Sequence, residues 1–182
     1  PAKRDSVFRE LFTPAGIGIN YTRLAVGASD FSFNFFSYSE TEDFTLSNFS
    51  IAEDHKDVIP MLKEILAINP GMQIMATPWS PPAWMKTNKS AKGGSLKPEF
   101  FGVYARYFVK YIQAMKAQGI PIDAITIQNE PLNPDNNPSM YMTAFDQALF
   151  IKNHLGPEFA KNNIDAKINI YEKSQKIEIE IK

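Results

Sequence analysis

The stretch EFFGVYARYFVKYIQAMKAQGIPIDAITIQNEP, Glu99–Pro131, carries the reading of the fold. Through Glu99–Gln118 the apolar residues Phe101, Tyr104, Phe108, Tyr111, Ile112 and Met115 recur at i, i+3 and i+4, the stripe of a helix with one buried face. Gly119-Ile120-Pro121 ends that helix, because glycine accepts the left-handed cap and proline cannot continue the hydrogen-bond ladder. Ile122–Gln128 then reads as a short strand, apolar on both faces as a buried parallel strand should be. Asn129-Glu130-Pro131 follows directly on its end.

The same unit recurs on both sides. Asp5–Phe12 predicts a short helix closed by the breakers Pro14, Gly16 and Gly18, and Ile19–Val26 a first strand. A polar and aromatic loop runs from Gly27 to about Phe49. Ser50 with Glu53 three residues on has the form of a capping box for a helix reaching Ile68, where Asn69-Pro70-Gly71 stops it. Met72–Thr77 is the next apolar strand, and Pro78–Pro98 a proline-rich loop with a Gly93-Gly94 hinge. Past Pro131, Thr143 and Asp146 offer a second capping box for a helix to about Asn162, with a bend at Gly156-Pro157. Lys167–Tyr171 is a further strand.

Strands separated by helices imply a parallel sheet, since a parallel crossover needs a dozen or more residues. Such units build either a doubly wound sheet or a closed barrel. No G-x-G-x-x-G or Walker sequence occurs, which disfavours a nucleotide-binding doubly wound sheet. The expected fold class is therefore α/β, with βα units of a (β/α)₈ barrel.

Composition sets the outer limits. The chain has 182 residues, 44% hydrophobic and 21% charged, with net charge −1. That is a globular composition, and nothing in it suits a nucleic acid partner. Aromatics reach 13%, enough for both a dense core and a ring-lined cleft. Cysteine is absent, excluding disulfides and thiolate metal sites. His55 and His154 fall on separate helices, so no metal centre and no cofactor is expected. No apolar run approaches the roughly 20 residues of a membrane span. The chain begins at Pro1, so the lack of a visible signal peptide says little about export. Three Asn-x-Ser/Thr sequons, at Asn20, Asn48 and Asn88, carry no weight by themselves.

The residues with chemical potential each follow a predicted strand. Asp30 lies past the first, Trp79 past the second, and Asn129 and Glu130 past the third. In a parallel α/β fold these ends converge on one face, where barrel enzymes build their sites. An acid, an indole, an amide and a second acid on one rim suit a carbohydrate. Acid/base work needs carboxylates, C–H faces of sugars stack on rings, and amides hold hydroxyls. Each also has a plain structural reading: Asn-Glu-Pro is a common turn, Trp79 can cap the core, and Asp30 can cap its own turn. The stripe of Phe101, Tyr104, Phe108 and Tyr111 is read as core.

Tyr21–Ser32, Trp79–Asn88, Gly94–Lys97 and Gln128–Pro131 together resemble glycoside hydrolase family 30, over roughly residues 4–171. The resemblance implies a β-glycosidase that acts with retention through two glutamates, on glucosylceramide, β-1,6-glucan or another β-glycan. By position it makes Glu130 the acid/base and Asn129 the amide at the sugar 2-hydroxyl. Arg23, Asp30 and Trp79 then shape the glycone subsite.

Departures from the pattern matter as well. The resemblance places the first barrel strand before this chain and the sixth to eighth after it, with the nucleophilic glutamate following the seventh. Residues 1–171 then form a partial catalytic domain holding the barrel's second to fifth strands. Residues 172–182 form an atypical tail, which suggests a truncated or frameshifted reading frame. Its alternation of Ile177, Ile179 and Ile181 with Glu178 and Glu180 predicts a one-sided strand over Lys176–Lys182. Glu172 reads as a solvated turn residue rather than a second catalytic acid. The expected partner is carbohydrate. Two rivals are a non-catalytic sugar-binding fragment and an assembly module that self-associates through open strand edges.

Overall fold

A computed structural model describes residues 2–170. The tail strand expected over Lys176–Lys182, the turn at Glu172 and the end of the last strand at Tyr171 lie outside the described residues.

Four strands form one sheet in the order β1-β2-β3-β4, every pair parallel. They are β1 (Tyr21–Val26), β2 (Gln73–Pro78), β3 (Ala124–Thr126) and β4 (Lys167–Asn169). The order decides between the two architectures left open by the sequence. Parallel crossovers are almost always right-handed, so strands added steadily in one direction carry all their helices on one face. A doubly wound sheet must reverse direction at a switch point. No reversal occurs among the described residues, and the sheet is a segment of an α/β barrel wall.

Strand alternation then sorts the side chains. Ile74, Ala76 and Ile125, each 0% exposed, face the helices. They share one core with Ile59 and Leu62 of α2 (Val58–Ile68) and with the apolar stripe of α3 (Phe101–Ala117). Tyr21, Arg23 and Gln73 project from the other face and are exposed. Helix α1 (Ala2–Phe12) packs beside α2, where Arg4 Nη2 lies 2.6 Å from Glu64. After β3 come α4 (Ala144–Phe150), a π-helical segment Ile151–Leu155 and α5 (Gly156–Lys161). The Thr143–Asp146 capping box forms in both directions. Gly156-Pro157, where a bend is expected, directly follows that wider π turn and opens α5.

The first capping box does not form. Ala52–His55 is a short 3-10 turn without a side-chain cap, and α2 starts at Asp57, whose carboxylate accepts from Val58 N. Pro60 explains this. A helix opened at Ser50 would carry that proline in its interior, whereas a start at Asp57 leaves it in the first turn, where its missing N–H costs nothing. Strand β3 is also shorter than Ile122–Gln128. Asp123 uses its side chain to accept from Ile74 N at 2.7 Å while its own N–H donates to Ile74 O at 2.8 Å. The sheet contact therefore persists with irregular geometry.

The loop from Gly27 to Phe49 is more ordered than its composition suggests. Tyr38, 2% exposed, stacks on Tyr111 of α3 with ring centres 5.5 Å apart. Its hydroxyl donates to Asp54 at 2.6 Å. Burial pushes the Asp54 carboxyl up to about 6, against the lowering effect of that hydrogen bond and with a further rise from Asp57. An acid whose folded value lies above its unfolded value of 3.8 stabilises the fold most when protonated in both states. Its contribution is lost as pH rises from about 4 to about 6, by up to roughly 3 kcal/mol. Thermal unfolding of the Asp54→Asn chain should lack this component. The difference in stability between it and the unsubstituted chain should grow through that window and then level off. A difference independent of pH would place Asp54 in contact with water.

Candidate active site

The site occupies the C-terminal ends of β1, β2 and β3. At the first, Gly27 takes φ +77, and a Cβ there would stand 3.2 Å from Phe36 O. Only glycine lets the loop fold back so closely, and Ala28 N then donates to Phe36 O at 3.0 Å. Asp30 and Phe31 sit on the rim of this turn. At the second, Trp79 is packed to 9% exposure. At the third, Asn129 N donates to the carbonyl of Pro78 at 2.8 Å. Gln128, buried behind it, donates from Nε2 to the carbonyls of Trp79 and Asn129 at 2.7 and 2.9 Å. The ends of β2 and β3 are thus tied through backbone and side chain together.

Arg23 projects from β1 into the same space. Its Nη2 donates to Asn129 Oδ1 at 2.8 Å, and its guanidinium carbon lies 4.8 Å from the centre of the Trp79 ring. With its oxygen thus engaged, the Asn129 amide presents its NH₂ as the group left to donate. Trp79 Nε1 is buried and has no acceptor among the described residues, although a buried indole N–H normally finds one. The other tryptophan, Trp84, donates to Ser39 O at 2.8 Å.

Glu130 has backbone φ +41, a left-handed conformation rare in residues with a side chain. It is half-buried, and its carboxylate accepts from Asn133 Nδ2 at 2.8 Å. Asp30 Oδ2 accepts a long bond, 3.4 Å, from Asn136 Nδ2. Arg23, Asp30, Phe31, Trp79, Asn129, Glu130 and Asn136 line one open cleft of about 330 Å³. The five residues singled out from the sequence therefore meet in a single place.

The remaining lining residues escaped the sequence reading. Phe31 adjoins Asp30 and is 93% exposed, and that adjacency was the available signal. Asn136, and Asn133 that donates to Glu130, fall between Pro131 and Thr143, where the sequence offers no motif. A larger hollow of about 750 Å³ opens at the opposite strand ends, around Gln73, Asp123 and Lys167. Its Asp123 carboxylate is committed to Ile74 N. Among the described residues no three His, Asp or Glu side chains gather as a metal site, and no helix is long and apolar enough to cross a membrane.

Comparison with known proteins bears on this cleft. The Glycosyl hydrolase family 30 TIM-barrel domain matches residues 1–177. The chain is 38% identical over 180 residues to an endo-1,6-beta-D-glucanase of Neurospora crassa, covering 94% of this chain and 38% of that protein. It is 34% identical to the lysosomal acid glucosylceramidase of Mus musculus, covering 92% of this chain and 35% of that one. A solved endo-beta1,6-glucanase superposes with a TM-score of 0.89 at 41% identity, over 93% of this chain and 39% of the other. The chain thus spans well under half the length of these relatives.

Proposed function

This chain belongs to glycosyl hydrolase family 30, and from that membership we propose that it carries the acid/base half of a retaining β-glycosidase site whose favoured substrate is β-1,6-linked glucan. The observation that carries the reading is the single cleft formed by Arg23, Asp30, Trp79, Asn129 and Glu130. The linkage preference rests on relatives named as 1,6-glucanases.

Glu130 protonates the departing glycosidic oxygen and then, with the proton gone, activates the incoming water. Asn129 donates its NH₂ to the sugar 2-hydroxyl, a contact that strengthens as positive charge develops at the ring. Arg23 fixes that amide through its oxygen and holds the Trp79 ring in place. Trp79 lines the cleft and offers the sugar's C–H face its ring. Asp30 accepts from glycone hydroxyls.

Retention also requires a second carboxyl about 5–5.5 Å from the first. Among the described residues the cleft offers only Asp30, which this reading gives to binding. The nucleophile is therefore assigned to a part of the barrel other than these four βα units. A second reading, self-association, is favoured by the outer edges of β1 and β4, which have no strand partner among the described residues.

Gentiobiose, a β-1,6-linked glucose pair, is the direct probe. It should shift the indole N–H resonance of Trp79 and bind more tightly than cellobiose. Trp79→Ala should weaken binding about tenfold, the equivalent of about 1.4 kcal/mol. A chain whose cleft resonances are unmoved by either disaccharide would sink the reading, and a doubled mass in solution would favour the second.

A further inference from the structure

We propose that Lys86 is a positioning residue for the cleft: its ammonium ties the loop after β3 to the loop after β2, and so sets where Glu130 and Asn136 stand relative to Trp79. The binding arm of the test below rests on the sugar-cleft reading, and the structural arm does not.

Lys86 is 0% exposed, an unusual state for a lysine. Its Nζ donates to Ser80 Oγ at 2.9 Å, Ala91 O at 2.9 Å and Ser139 O at 2.6 Å. An ammonium has three N–H donors, and each meets one acceptor. Two of those acceptors lie in the loop after β2 and one in the loop after β3. Ser80 follows Trp79 directly, Ala91 lies in the long loop after β2, and Ser139 lies in the loop after β3, just beyond Asn136.

Further bonds run along the same seam. Ser139 N donates to Ala91 O at 3.0 Å and Tyr141 N to Gly94 O at 2.8 Å. Gly93 N donates to Ser139 Oγ at 2.9 Å, and that hydroxyl donates to Pro134 O at 2.8 Å. Pro134 stands between Glu130 and Asn136, so the seam reaches the cleft wall.

Stability alone gives a poor account of this charge. No carboxylate among the described residues lies within ion-pair distance of Lys86, and an apolar side chain of similar volume would escape the cost of desolvation. Burial pushes the amine down to about 7. The three acceptors work against that, because a neutral amine has only two N–H groups and would leave one acceptor unmet. What the ammonium supplies and a methionine cannot is a fixed junction that holds two points of the loop after β2 to one in the loop after β3.

The chain has no cysteine, which permits a clean chemical rescue. Three forms are compared with the unsubstituted chain: Lys86→Met, Lys86→Cys, and Lys86→Cys alkylated with bromoethylamine in denaturant and refolded, which restores an amine at nearly the original reach. Lys86→Met should remain folded by circular dichroism. It should nevertheless exchange the Gly93, Ser139 and Tyr141 amide protons at least tenfold faster, with Ile74 and Met115 unchanged. Its affinity for gentiobiose should fall about tenfold, and aminoethylation should restore both properties to the Lys86→Cys chain. The proposal is overturned if Lys86→Met matches the unsubstituted chain in exchange and affinity, or if aminoethylation gives no recovery. If the unsubstituted chain does not bind gentiobiose, the sugar reading falls and the exchange rates decide the junction alone. Should Lys86→Met fail to fold, Ser80→Ala removes one acceptor of the three. A severalfold rise in exchange at the same amides supports the junction, and no rise overturns it.

Discussion

Purified chain mixed with nitrophenyl β-glucoside should release nitrophenol at a rate far below that of a complete glycosidase. A positioned acid supplies about 10²–10⁴-fold over the uncatalysed reaction, whereas enzymes reach about 10⁶-fold or more. The shortfall follows from the assignment of the nucleophile elsewhere: without a carboxylate facing Glu130, no glycosyl-enzyme intermediate forms. The open cleft also admits water, which weakens each electrostatic contact within it. Whatever rate remains should fall to background in Glu130→Gln. Turnover at an enzymatic rate that disappears in Glu130→Gln would show that a second carboxylate is already in place, from Asp30, from Glu172 or from another copy of the chain.

Phe108→Ala should remove a large part of the protein's stability. Phe108 is 0% exposed, with ring centres 4.8 Å to Tyr104 and 6.4 Å to Phe150. Its removal opens a cavity where α3 meets α4, and large aromatic truncations of this kind cost about 3–5 kcal/mol. Total stabilities of single domains run only about 5–15 kcal/mol. In urea the midpoint should drop sharply with the slope unchanged. A loss below about 1 kcal/mol would mean that this part of the core packs loosely enough to close the gap.

Much of the architecture was legible because parallel βα units announce themselves. The stripe of α3 and the apolar run of β2 each need a covered face, and glycine and proline punctuate the chain between them. Strand ends gave the cleft for the same reason: a residue placed immediately after a buried parallel strand has one rim to occupy. Arg23 was the exception. It sits within β1 and was found through its place in the Tyr21–Ser32 block rather than through any strand-end argument.

What stayed hidden depends on contacts between distant segments. Ser50 and Glu53 have the form of a cap, but the constraint that moves the helix start lies further along, at Pro60. The Asp123 side chain takes a place in the sheet that no alternation pattern reveals. Lys86 follows Trp84 and Met85 in a loop. The approach of Ser139, from the loop after β3, completes with Ser80 and Ala91 the set of acceptors that lets a lysine be buried there.

The left-handed backbone at Glu130 bears on how variants of this protein should be interpreted. A side-chain-bearing residue in such a conformation costs on the order of 1 kcal/mol or more, and glycine or asparagine at that position would relieve part of it. Glu130→Gly or Glu130→Asn can therefore raise the amount of folded protein while abolishing the chemistry assigned to the carboxylate. A survey scored by cellular abundance would rank such changes as benign. One scored by catalysis, in the complete enzyme, would rank them among the most damaging. Disagreement between the two scores, concentrated at a single position, is itself a signature of a residue kept for what it does rather than for what it holds together.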